Sequence, residues 1–166
     1  MRANSIGFYP WRGKPLIEFG ENSKEGTFCQ FLKQLREIHS SFRVVVVIWD
    51  NFAPHRSQKI RQTAEEFGIM LVYLPPYSPD LNPIEFIWKS IKRVIAKVFI
   101  SDLEKMRQII REQFYLLAQR LSFAKSWIDL CFRCMNYEIQ TGSFLQGFAK
   151  HYNFGLDIGF RCLFVF

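Results

Sequence analysis

The segment Arg43–Lys97, RVVVVIWDNFAPHRSQKIRQTAEEFGIMLVYLPPYSPDLNPIEFIWKSIKRVIAK, decides the fold. Val44–Trp49 is a continuous, mostly β-branched apolar run, the pattern of a strand buried on both faces. Asp50 then lies at the C-terminal end of that strand, the edge where open α/β sheets carry their ligand sites. Pro54 suits the start of a helix running through Phe67, and Gly68 suits its C-terminal turn. Ile69–Leu74 reads as a second apolar strand, so strand, helix and strand make a right-handed parallel unit. The four prolines of PPYSPDLNP (75–83) can extend neither neighbour, and their stiffness sets where the next helix begins. That helix is expected to have Asn82 as N-cap and Pro83 at its first position. Its apolar stripe is Ile84, Ile87, Trp88, Ile91, Ile95 and Val98.

Outward from this segment the elements continue. Ser5–Trp11 and Pro15–Phe19 flank an Arg12-Gly13 turn and read as a β-hairpin. Asn22 or Ser23 can cap a helix with the stripe Phe28, Phe31, Leu32 and Leu35, ending near His39–Ser41. Downstream, Ser101-Asp102-Leu103-Glu104 has the form of a capping box. The helix it opens turns Leu103, Met106, Ile110, Phe114 and Leu117 inward, and Ser122 caps a last helix through about Met135. From Asn136 polar periodicity disappears, and seven of the 18 phenylalanines fall in residues 131–166. The chain therefore divides into 1–135 and a Phe-rich tail, 136–166, with no assigned role.

With 166 residues, 49% hydrophobic and 22% charged, the chain is long and apolar enough for one sizeable core and too apolar for wholesale disorder. It holds no uncharged apolar stretch of about 18 residues to span a membrane, and no signal-peptide segment, so a cytoplasmic, nucleoid-associated protein is expected. A net charge of +7 points to a polyanionic partner, most simply nucleic acid. Cys29, Cys131, Cys134 and Cys162 form no disulfide framework. The Cys131/Cys134 pair lacks the second pair of a zinc site and reads as two buried thiols. No GxGxxG and no P-loop lysine follows a strand, which disfavours a nucleotide-binding reading.

Two acids can carry metal chemistry. Two-metal phosphoryl transfer needs hard oxygen ligands on rigid elements that converge from distant positions. Asp50 at a strand end and Glu85 in the first turn of a helix are of that kind. Each also has a plain structural reading. Asp50 can close the turn after its strand, where Asp-Asn is favoured, and Glu85 can complete an Asn-Pro-Ile-Glu capping box. Lys89 and Lys92 share the helical face of Glu85, with Arg93 and Lys97 beside them, opposite the isoleucine stripe. Such a row can track a phosphate backbone without reading bases, or can simply be a solvated face.

WDNFAPHRS (49–57), LPPYSPDLNPIEFIWKSIKR (74–93) and LSFAKSWI (121–128) together resemble the DDE transposase catalytic domain. The likeness is to the insertion-sequence relatives of the mariner transposases, and it covers roughly Gly7 to Leu130. It implies an α/β, RNase H-like mixed sheet with flanking helices, two Mg²⁺ (or Mn²⁺) ions, and DNA cleavage with strand transfer at element ends. Asp50 and Glu85 then map onto the second and third catalytic, metal-binding acids. His55 and Arg56 lie near the active site, and with Lys89, Lys92, Arg93 and Lys97 are the expected DNA-contacting residues. The first catalytic Asp belongs on an earlier, central strand beside the one that ends in Asp50. Residues 1–49 hold no Asp; their only acids are Glu18, Glu21, Glu25 and Glu37.

The expectation is accordingly a transposase catalytic domain truncated at its N-terminus, without a helix-turn-helix module or first central strand, and catalytically incomplete. Its expected partners are transposon ends and target DNA, with a homodimer or a separately encoded N-terminal part. The alternative is a non-catalytic, sequence-independent DNA-binding remnant. Phe160–Phe166 is apolar enough to fill the gap left by the absent strand.

Overall fold

The computed structural model describes residues 3–11, 13–20, 25–50, 52–74, 82–125 and 162–165. In chain order the elements are β1 (Asn4–Pro10), β2 (Leu16–Gly20), α1 (Glu25–Ile38), β3 (Val45–Trp49) and a 3-10 turn (Ala53–Arg56). There follow α2 (Gln58–Glu66), β4 (Ile69–Tyr73), α3 (Ile84–Ile95), α4 (Leu103–Ala118), a second 3-10 turn (Leu121–Phe123) and β5 (Cys162–Val165).

The strands form one mixed sheet in the order β2-β1-β5-β3-β4. β1 and β2 are the expected antiparallel hairpin, in register from Asn4↔Gly20 to Phe8↔Leu16. β3 and β4 are parallel, from Val45↔Ile69 to Trp49↔Tyr73. All five residues of β3 are buried because both faces of the sheet are covered. Val45, Val47 and Trp49 join Phe28, Phe31, Leu32 and Leu35 of α1 and Ile60 and Ala64 of α2 in one cluster. Val46 and Ile48 join Ile84, Ile87 and Ile91 of α3 and Ile110 and Phe114 of α4 in the other. Each Val, Leu, Ile or Phe side chain among them contributes about 1.5–3 kcal/mol relative to an exposed one. Gly7 lets β1 sit tight under this second layer, since a Cβ there would lie 2.7 Å from both Phe114 and Trp88.

Four expectations are corrected. The single helix from Pro54 to Phe67 is two pieces. Ser57 adopts extended backbone between them, and its hydroxyl caps α2 by accepting from the Ile60 N–H at 3.3 Å. Gly68 closes α2 in the left-handed region, φ 61°, as expected. The predicted capping box at the start of α3 does not form. Pro83 takes helical backbone at the cap position without a side-chain bond, and Asn82 Oδ1 is buried with no hydrogen-bond partner. The first turn closes instead through i→i+3 backbone bonds, Glu85 N–H to Asn82 O and Phe86 N–H to Pro83 O. Val98, placed in the apolar stripe of α3, lies beyond its end and is exposed. At α4 the cap is Asp102 rather than Ser101: its carboxylate accepts from the Lys105 N–H at 2.8 Å and from the Ser101 hydroxyl. Ile110 and Phe114 are buried as predicted, with Met106 and Leu117 packed at the margin.

The central strand expected to be missing has its place taken. β5, from the tail, runs antiparallel to β1 (Phe8↔Val165 to Pro10↔Leu163) and parallel to β3 (Val46↔Cys162 to Trp49↔Val165). Part of residues 136–166 thus belongs to the same sheet as residues 1–135. The expected caps Asn22 and Ser23, the proline loop as far as residue 81, the end of the last helix and the Cys131/Cys134 pair lie outside the described residues. Ser122, expected to cap that helix, is instead inside a 3-10 turn.

Candidate active site and nucleic-acid face

Asp50 leaves β3 at the sheet's C-terminal edge, and two contacts reach its carboxylate. Oδ1 accepts from the Phe52 N–H at 3.0 Å, the kind of bond the plain structural reading of Asp50 calls for. His55 Nδ1 lies 2.8 Å from the same oxygen and hydrogen-bonds to the Asp50 backbone carbonyl at 3.4 Å. His55 is itself clamped: its ring stacks on Trp49 at 4.4 Å and 5°, with Phe28 and Phe52 edge-on to it. Tyr73 on β4 donates to the His55 carbonyl at 2.9 Å. With Nδ1–H committed to Asp50, Nε2 is buried without a partner. The carboxylate stays half exposed, its side chain 47% accessible against 3% for His55. One carboxylate oxygen is therefore oriented and the other is open to solvent and to a ligand.

His55, expected to contact DNA, is buried and lies against Asp50. Trp49 and Tyr73 are the supporting residues that sequence reasoning missed. The available signal was their place: the last residue of β3 and, in register with it, the last of β4.

Glu85 lies in the first turn of α3 and is partly exposed. Among the described residues no hydrogen bond or ion pair holds its carboxylate. Lys89, Lys92 and Arg93 on α3, and Lys97 just past its end, are all exposed, while Ile84, Ile87 and Ile91 of α3 are buried. Lys89 rests over the Phe86 ring at 5.3 Å, and none of the four is tied up in an ion pair among the described residues. Arg56 is exposed as well. Glu18, Glu25 and Glu37 lie on β2 and α1, and among the described residues no three His, Cys, Asp or Glu side chains gather into a metal-holding group.

Residues 2–107 match the family described as DDE superfamily endonuclease. The chain belongs to that family. Among its relatives are the insertion element IS630 uncharacterized 39 kDa protein of Shigella sonnei, 29% identical over 86 residues, and the transposable element Tcb2 transposase of Caenorhabditis briggsae, 27% identical over 110. The matches cover 51% and 66% of this chain but only 25% and 38% of those proteins. The catalytic domain of the Mos1 mariner transposase has the same RNase H-like fold, with TM-score 0.54, 19% identity, and 68% of this chain and 67% of that one covered. The Mos1 strand transfer complex aligns at TM-score 0.57 and 22% identity over 71% of this chain and 36% of that one. Mos1 catalytic domains have also been solved with raltegravir and Mn or Mg. Among the described residues no helix is long and apolar enough to cross a membrane.

Proposed function

We propose that this chain is part of a DNA transposase catalytic domain that engages DNA but does not carry out strand transfer by itself. The observation that carries the reading is Asp50 at the end of β3, its carboxylate aimed by His55 and the Phe52 N–H with one oxygen left open. An acid held this firmly while half exposed serves a ligand rather than the core, and divalent-ion ligation is the chemistry that family membership supplies. Glu85 is the second acid. A third carboxylate then comes from outside the described residues, in a separately encoded N-terminal part or a second chain, and no cleavage step is assigned to this chain alone.

DNA is held by Arg56, Lys89, Lys92, Arg93 and Lys97 through phosphates, independent of sequence. Because these cations are exposed and form no ion pair among the described residues, the second reading, DNA binding without catalysis, rests on an observation of its own.

The test has two arms. Duplex binding by the purified chain is expected to weaken with salt, and each of Lys89, Lys92, Arg93 and Lys97 changed to Ala to lower the log–log slope by about 0.9 or less. A slope unmoved by all four removes the DNA face. Cleavage of transposon-end duplex with Mg²⁺ is expected to be absent for the chain alone and restored by the N-terminal part. Asp50→Asn or Glu85→Gln then abolishes the restored cleavage. Binding that survives Glu85→Gln, with no restoration, favours the second reading; robust strand transfer by the chain alone refutes incompleteness.

A further inference from the structure

The two halves of the sheet are each closed by local connections. The β1–β2 hairpin pairs over five registered positions, and β3 and β4, joined through α2, pair over another five. Neither half pairs with the other. Among the described residues the only strand between them is β5, which reaches Phe8–Pro10 on one side and Val46–Trp49 on the other. Without β5, two strands in the middle of the sheet would present open ladder edges. Phe8, Tyr9 and Val45 to Trp49 are all buried with β5 in place, and its removal would take away the strand partner of those backbone N–H and C=O groups.

The occupant of this slot is weakly committed to it. β5 is the shortest strand, with four residues, and its registered pairs number three with β1 and four with β3. It also arrives last, residues 126–161 separating it from the preceding described residue. A tethered segment competes with a free one at an effective concentration on the order of millimolar at best. Main-chain pairing tolerates many sequences, so the slot asks only for an extended apolar segment running parallel to β3. Cys162-Leu163-Phe164-Val165 meets that requirement.

We propose that the slot between β1 and β3 is a strand-acceptor site, filled exchangeably by the chain's own β5, and that the same segment of a second copy can take its place. The inference stands on sheet topology and is independent of the proposed function: a chain with no DNA activity would still exchange the strand.

The experiment uses the full chain carrying Phe164→Pro, which removes the backbone donor paired between Tyr9 and Ile48. The probe is a fluorescent peptide spanning residues 157–166, standing in for the strand of a second copy. Amides of Phe8, Tyr9 and Val46–Trp49 are expected to exchange roughly tenfold faster or more in the variant, and to regain protection with the peptide. The variant should bind the peptide roughly tenfold or more tighter than the unaltered chain, whose own strand competes. Should the variant not fold alone, refolding on addition of the peptide supports the proposal and failure to refold overturns it. Unchanged exchange in a folded variant, or a folded variant that ignores the peptide, also overturns it.

Discussion

His39 and His55 are both buried against aromatic rings, yet only one has a partner for each ring nitrogen. His39 donates from Nδ1 to the Leu35 carbonyl at 2.8 Å and accepts on Nε2 from the Lys14 N–H at 3.2 Å. It ties the hairpin turn to the end of α1, between Phe8 and Phe42, and Arg36 braces the corner by donating to the His39 and Phe42 carbonyls. Every polar atom of that ring is used for the fold. His55 gives one nitrogen to a half-exposed carboxylate and leaves the other buried and unpaired. An unpaired buried polar atom costs stability, about 1–3 kcal/mol. The contrast teaches that the His39 corner serves the fold alone, whereas the His55 corner keeps an arrangement the fold does not require.

Four predictions break or sharpen that contrast. Trp49→Ala removes the fully buried ring on which His55 stacks and should cost about 3–5 kcal/mol in urea unfolding. A loss below about 1 kcal/mol would mean the His55 corner is not packed as described. Next, Gly13→Ala should cost about 1–3 kcal/mol, because the residue sits at φ 109° and its new Cβ would lie 2.6 Å from His39 Nε2. His39→Ala in the same chain should recover part of that loss, a non-additivity that a double-mutant cycle reads directly.

The pH dependence comes third. Desolvation, ahead of its hydrogen bonds and the nearby Lys14 and Arg36 charges, lowers the His39 pKa below its ordinary 6.5. Folding therefore favours the neutral ring. Its contribution is complete above pH 6.5 and is lost as pH falls through the lowered folded value. His39→Asn, which does not titrate, should flatten that acid limb of the stability profile. At the other end, burial pushes the Tyr9 phenol up to about 12 from 10.0 while its hydroxyl donates to the Arg120 carbonyl. Its contribution is complete below pH 10 and is lost as pH rises through about 12, a decline Tyr9→Phe should abolish. Persistence of both limbs would detach them from these residues.

The smallest stability effect is expected at His55→Phe. The ring stack survives, the unpaired Nε2 goes with the imidazole, and unfolding should shift by less than about 1 kcal/mol. Cleavage restored by an N-terminal partner should nevertheless fall sharply, because the Asp50 carboxylate loses the imidazole nitrogen 2.8 Å from it. A large loss of stability would place His55 with His39 as a residue of the fold.

Much of this was legible in the chain. The stripe Phe28, Phe31, Leu32 and Leu35, the run Val45–Trp49 and the row Ile84, Ile87, Ile91 read correctly because burial at a fixed period is a local property of sequence. Asp50 and Glu85 were legible as candidates for the same reason, each standing at the end or beginning of such an element. The details that failed depend on partners remote in sequence. The break at Ser57 sits where His55 is drawn under Trp49 and its carbonyl is held by Tyr73. Asn82, a good cap on paper, is buried with its side-chain oxygen unpaired, and nothing within the helix announces that.

By itself, then, the sequence determined the hairpin, the parallel pair and the helices that cover both faces, together with an acid at the end of β3 and a basic face on α3. Only the tertiary structure decided that His55 turns inward to hold Asp50 while His39 locks the opposite corner, and that a four-residue strand from the far end of the chain completes the middle of the sheet. Periodicity encodes which face of an element is buried. It carries no record of which ladder edges remain open once neighbouring elements have paired, and those open edges are what select the last strand.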